Sequence, residues 1–191
     1  MILLQDWELR RGGITSVFID CHFFPTYFPD EDSSDIFSKV NSTQDRSDLT
    51  AVANSIDTSQ KRIFIPFCKN SHWVLVVVEI AERKIIFYDS LCRDGSERVF
   101  FDRVLRFLVH VGLSSSNWTE VKMSKSLPTQ GSDTDECGVF VMMYIDFLVD
   151  GLPLDFLLQD AAHFRRKVFA DFYRGHLLYG VNETLPIPFY D

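Results

Sequence analysis

The chain has 191 residues, 46% of them hydrophobic and 14% aromatic, with 18 phenylalanines and a formal charge of −8. That length fits one domain with a substantial core, and the apolar, aromatic composition excludes a disordered chain. The negative balance speaks against a nucleic-acid binder, which normally carries a basic face.

From the start, Met1 to Gln5 is interrupted by Asp6 before a signal-peptide apolar core forms, and the longest apolar run, Trp73 to Val78, is too short to span a membrane. The four cysteines (Cys21, Cys68, Cys92 and Cys137) are scattered, with no C-x-x-C pair, so neither a zinc ribbon nor a disulfide framework is expected. Free thiols in a reducing intracellular setting, nucleus or cytoplasm, follow, and the sequons at Asn41, Asn117 and Asn182 read as chance matches. The polar stretch from Pro29 to Ser59, with Asp30, Glu31, Asp32 and Asp35, reads as a surface loop leading into a short helix over Ser47–Ile56.

Three β segments come next. Arg62–Phe67 is short and β-branched, and His72–Ile80 is nearly continuous valine, as expected of a strand buried on both faces. A polar turn at Ala81–Lys84 then leads into Ile85–Asp89, giving an antiparallel hairpin. A helix is expected over Ser96–Val111 with Gly112 just past its end. A strand follows at Trp118–Met123. Val139–Val149 is apolar nearly all round and reads as a central helix closed by Gly151. Asp160 opens a last helix to Arg174, with Phe164, Val168, Phe169 and Phe172 expected inward. The tail, with Pro186 and Pro188, reads as extended. Strands followed by a buried helix give an α+β domain with no internal repeat.

One constellation carries chemistry. Cys137 sits just before the buried helix, where the positive end of the helix dipole lowers a thiol pKa from its free value of roughly 8.5. Gly138 beside it lets a substrate backbone come close. His72 opens one hairpin strand and Asp89 closes the next, so imidazole and carboxylate meet at one sheet edge. Gln130, upstream of Cys137, offers a side-chain amide to a tetrahedral oxyanion. Nucleophile, base, orienting acid and oxyanion donor are the groups a thiol peptidase requires. Singly, each has a structural reading: a core thiol, a satisfied histidine, a turn aspartate, a solvated loop glutamine. Their joint order and placement favour chemistry.

At these residues the chain resembles the Ulp/sentrin-specific protease family. The matching strings are Ile65-Pro66-Phe67, His72-Trp73, Tyr88-Asp89-Ser90-Leu91, Gln130 and Cys137-Gly138-Val139-Phe140. Weaker matches are Ser16–Phe24, Leu158-Gln159-Asp160 and Arg165-Arg166, and the resemblance runs from about residue 15 to residue 174 of a single domain spanning 1–191. The resemblance implies a papain-like α+β fold, with a central sheet flanked by helices. It also implies a peptidase or isopeptidase cleaving after the Gly-Gly of a ubiquitin-like modifier, SUMO first by family frequency, with that modifier and its conjugates as partners. No cofactor, metal, nucleic acid or membrane is implied. By carry-over, His72, Asp89, Gln130 and Cys137 are catalytic and Trp73 roofs the tunnel for the modifier's tail. Three departures stand out. The family's opening helix is shortened, its usual aspartate before the nucleophile is Glu136, and the Gln-to-Cys loop has one residue more than the common cellular pattern, closer to the adenovirus-type loop. Two other readings belong to different classes: acyl transfer by the related His-acid-Cys acetyltransferases, and a non-catalytic modifier-binding module.

Overall fold

A computed structural model describes residues 16–28, 54, 56, 62–114, 116–123 and 127–174. The elements among them are β1 (Ser16–Phe18), α1 (Phe23–Tyr27), β2 (Arg62–Lys69), β3 (His72–Glu79), β4 (Lys84–Tyr88), α2 (Arg98–His110), β5 (Thr119–Lys122), α3 (Cys137–Asp150) and α4 (Asp160–Arg174). The helix expected over 47–56, apart from positions 54 and 56, and the proline-containing tail lie outside the described residues, as do the chain's opening residues.

The strands form one mixed sheet in the order β1-β2-β3-β4-β5. The hairpin read from the valine run is present: β3 and β4 pair antiparallel, with Leu75 opposite Tyr88. The outer strands β1 and β5 pair parallel to their neighbours. Val74 to Val78 are all buried, as a strand covered on both faces must be. Alternation divides their side chains between two cores. Val74, Val76 and Val78 join Phe67, Phe87 and Phe107 under α1 and α2. Leu75 and Val77 join Phe140, Tyr144 and Phe156 around α3. Each layer buries enough aromatic surface to hold a helix on the sheet.

The helix ends are specified locally. Past α2, Gly112 takes a left-handed conformation (φ 83°) while its N–H donates to Val109 O and that of Leu113 to Leu108 O. Gly151 closes α3 the same way. Both are the paired bonds with which a C-terminal glycine satisfies orphan carbonyls.

The last helix departs from expectation. Phe164 is buried, but Phe169 is 74% and Phe172 70% exposed. The buried positions are Ala161, Phe164, Lys167 and Asp171, a stripe with proper helical spacing. Phe169 and Phe172 fall off that stripe. Two charged residues go inward instead, because Lys167 Nζ pairs with Asp171 (3.1 Å) and with Asp146 of α3 (3.6 Å). Asp160 does serve the helix start, its carboxylate accepting the Leu157 N–H at 2.8 Å.

Candidate active site

His72 and Trp73 begin β3, so consecutive side chains leave opposite faces of the sheet. His72 goes to the α2 side. Continuing the β3–β4 register one step past Leu75 and Tyr88 sets Asp89 opposite Val74, on the same face as His72. The His72 Nε2 and Asp89 Oδ1 lie 2.7 Å apart. Asp89 also accepts the Leu91 N–H at 2.9 Å on Oδ1 and the Arg93 N–H at 3.1 Å on Oδ2. Burial opposes the carboxylate's charge, but the bonds from His72, Leu91 and Arg93 outweigh it and hold Asp89 below the usual carboxylate range. Asp89 therefore faces the imidazole as an anion, and a carboxylate accepting from Nε2 fixes the tautomer with the proton on that nitrogen. Nδ1 is left as the acceptor.

Trp73 goes to the α3 side. Its indole stands over the start of α3: a β-carbon at Gly138 would lie 3.5 Å from Trp73 Cδ1. Cys137 is the first residue of that helix and is 8% exposed, as is His72. The helix has a feature that sequence alone does not disclose. Glu136 precedes Cys137 but makes no side-chain cap. Its carboxylate is held instead by Arg165 of α4, which donates from Nε at 3.0 Å and Nη2 at 2.7 Å. An anion that would compete for the helix terminus is thereby drawn aside, leaving the positive end to the thiol.

Gln130 is also buried, and both ends of its amide are fixed. Oε1 accepts from Ser90 Oγ at 2.6 Å, and Nε2 donates to Thr134 O at 2.6 Å. Thr134 Oγ1 returns a bond to Gln130 O at 2.8 Å, and Gly131 adopts φ 78°. The longer loop before Cys137 is thus closed on itself by Thr134. The Gln130 N–H donates to Ser90 O (3.1 Å), which ties this loop to the residue following Asp89. Ser90 lies in the Tyr88–Leu91 string and Thr134 in no motif, but the sequence marks neither as a partner of Gln130, since only the folded loop brings them to the amide.

Burial pushes the Cys21 and Cys68 thiols up, with Asp20 adding to the effect at Cys21 and Cys137 at Cys68. Among the described residues one group of potential metal ligands comes together, the consecutive Asp20, Cys21 and His22, whose ligand atoms lie within 4.8 Å. Asp20 Oδ1 there accepts the His22 N–H, an ordinary helix-start turn. No helix among the described residues is long and apolar enough to cross a membrane.

Residues 20–176 match the Ulp1 protease family, C-terminal catalytic domain. Ubiquitin-like-specific protease 1A of Arabidopsis thaliana is 32% identical over 184 residues, covering 87% of this chain and 33% of that protein. The chain thus spans about a third of that curated relative. The catalytic domain of a Chaetomium thermophilum Ulp1-like SUMO protease superposes with a TM-score of 0.68 at 19% identity, covering 94% of this chain and 71% of its own. A C-terminal Ulp1 protease domain in complex with Smt3, the yeast orthologue of SUMO, gives 0.62 at 19% identity, covering 86% and 71%. Both superpositions establish the α+β fold expected from the sequence.

Proposed function

The chain belongs to the Ulp1 protease family, and from that premise we propose that it is a thiol peptidase cleaving after the Gly-Gly terminus of a ubiquitin-like modifier, SUMO foremost. The observation that carries the reading is the 2.7 Å contact between His72 Nε2 and the anionic Asp89; Cys137, which the reading assigns as nucleophile, opens a buried helix. The Arabidopsis relative is a ubiquitin-like-specific protease and the yeast domain is held in complex with Smt3, which supports the substrate class. The nucleophile works as a free thiol, so a reducing compartment, nucleus or cytoplasm, goes with the proposal.

The steps follow from the groups present. His72 Nδ1 takes the Cys137 proton, and the thiolate attacks the carbonyl carbon of the modifier's last glycine. The negative oxygen that forms is met by the Cys137 backbone N–H in the first helical turn and by Gln130, whose amide has two N–H donors of which Thr134 engages one. The imidazolium, stabilised by Asp89, returns its proton to the departing amine as the carbon–nitrogen bond breaks. Water, deprotonated by the same imidazole, then hydrolyses the thioester. Trp73 packs against Gly138 at the start of α3, where a β-carbon would already touch the indole, and by resemblance to the family its indole roofs the path of the modifier's Gly-Gly tail.

A modifier carrying an electrophile in place of its terminal carboxylate tests the reading. It should form a covalent adduct that Cys137→Ala eliminates and Trp73→Ala slows. Tight non-covalent binding without adduct, unchanged by Cys137→Ala, would instead identify a binding module.

A further inference from the structure

The loop that leads into Cys137 is acidic: Asp133, Asp135 and Glu136 all precede the thiol within one short stretch. The thiolate and the oxyanion of the proposed reaction are both negative, so every carboxylate here opposes them. Asp133 and Asp135 are exposed, and water screens their charge. Glu136 is different. It adjoins Cys137, and its side chain is only 25% exposed. Its backbone already serves α3, since Glu136 O accepts the Phe140 N–H at 2.9 Å, yet its side chain caps nothing. The free N–H groups of the first helical turn are the natural alternative partners for that carboxylate. Among them is the Cys137 N–H that the proposed reaction offers to the oxyanion.

Arg165 of α4 keeps the carboxylate elsewhere. Both of its bonds, from Nε at 3.0 Å and Nη2 at 2.7 Å, go to the same oxygen, Glu136 Oε2. The guanidinium is placed by the docking of its helix. Phe164, the residue before it, is buried, and Lys167, two residues on, reaches Asp146 of α3 at 3.6 Å. A residue 29 positions from Glu136 thus neutralises the acid nearest the nucleophile.

We propose that Arg165 is a positioning residue for the reaction: by holding and neutralising the Glu136 carboxylate it keeps the first turn of α3 free for the thiolate and the oxyanion. The inference rests on the peptidase reading and adds a residue of α4 that acts through Glu136 and not on the substrate. Its signature is an asymmetry. An ion pair that merely fastened α4 to α3 would lose the same from either side. Here, deleting the arginine frees a carboxylate beside the nucleophile. Deleting the carboxylate leaves only an arginine whose side chain is 54% exposed and which water can solvate. A charge at a helix end is worth between about twofold and thirtyfold in an equilibrium, which sets the size of the effect.

The test uses the full chain, a modifier joined to a peptide by an isopeptide bond, and the variants Arg165→Gln, Glu136→Gln and their combination. In Arg165→Gln, kcat should fall about tenfold with KM nearly unchanged. Glu136→Gln should stay within about twofold of wild type, and the double variant should recover to the same level. Arg165→Lys, which keeps the cation, should retain most of the rate. A second arm needs no turnover: the rate at which iodoacetamide modifies Cys137 at one fixed pH, read by mass spectrometry of the peptides, should fall and recover in the same order. Equal losses in the two single variants without recovery in the double, or a loss confined to KM, overturns the proposal. So does an Arg165→Gln protein as active as wild type, or a rate that follows the melting temperatures of the variants and not the charge at position 136. If the wild-type chain cleaves no modifier, the peptidase reading alone fails, and the alkylation arm still decides on Arg165.

Discussion

His72 Nε2 lies 2.7 Å from Asp89 Oδ1, and the same oxygen accepts the Leu91 N–H, so imidazole and backbone are held by one atom. The arrangement makes Asp89 an orienting group, not a proton carrier. Asp89→Asn keeps the size but lets an amide N–H face the ring, favouring the wrong tautomer. Turnover of a modifier substrate should fall on the order of 10²–10⁴-fold while KM changes little. A loss confined to KM would mean that Asp89 shapes binding instead.

The same carboxylate gives a pH signature. Its folded-state pKa is lowered, so ionised Asp89 favours the folded state. That stability is fully present above the unfolded value near 4 and is lost as pH falls through the lower folded value. In denaturant titrations, the stability difference between wild type and Asp89→Asn should be constant above about pH 5 and shrink below about pH 4. A difference that grows on acidification would contradict the ionised state assigned here.

The nucleophile role proposed for Cys137 predicts a difference in thiol reactivity. Cys21 and Cys68 are pushed up by burial, which slows their alkylation at mildly acidic pH. Cys137 opens α3 and is the thiol that the proposed reading deprotonates through His72, so iodoacetamide near pH 6 should modify it first, read by mass spectrometry of the peptides, and His72→Ala should remove that preference. Equal labelling of the thiols would argue against activation at the helix terminus.

Much of this site is legible in the primary structure, for definite reasons. His72, Trp73 and Asp89 sit at the ends of strands whose alternation and turn are unambiguous, so hairpin geometry alone brings imidazole and carboxylate together. Cys137 is legible because the apolar run after it can only be a buried helix. The partners of Gln130 are not, since Ser90 is forty positions away along the chain and meets the amide only through the fold. The inward face of α4 is misjudged for a different reason. Hydropathy assigns Phe169 and Phe172 inward, whereas a lysine paired with two aspartates can be buried in their stead.

Gln130 allows its proposed role and its support to be separated. Gln130→Ala deletes an oxyanion donor, and kcat on an amide substrate should drop on the order of 10²–10³-fold with modifier binding nearly unchanged. Ser90→Ala leaves the amide in place but removes the hydroxyl that fixes its orientation. Its loss should be smaller, up to about 10²-fold, the scale of a misplaced group. If Ser90→Ala cost as much as Gln130→Ala and also weakened binding, the pair would be holding the loop together, and the oxyanion role would fall.

The Lys167 cluster ties α4 to α3, and its stability should depend on pH in a distinctive way. Lys167 Nζ lies 3.1 Å from Asp171 and 3.6 Å from Asp146, with side chains 11%, 3% and 15% exposed. Burial already pushes the Asp146 carboxyl up, with Lys167 opposing the shift. Lys167→Met would preserve much of the volume and remove the cation that both buried carboxylates share. Breaking a buried pair in this way typically costs about 3–5 kcal/mol at neutral pH. The Asp146 carboxyl, already raised, would then lose the cation that opposes the shift, so the penalty is full well above its folded pKa. It should fade as pH drops towards the unfolded value near 4, where protonation no longer distinguishes the two states. Denaturant titrations of Lys167→Met and wild type should therefore diverge most near pH 7.5 and converge near pH 5. Adding Asp171→Leu removes the more buried carboxylate and should restore part of the loss at pH 7.5. A penalty equal at both pH values would mean that Lys167 contributes through its packing over the Phe164 ring, 5.5 Å from its Nζ, and not through its charge.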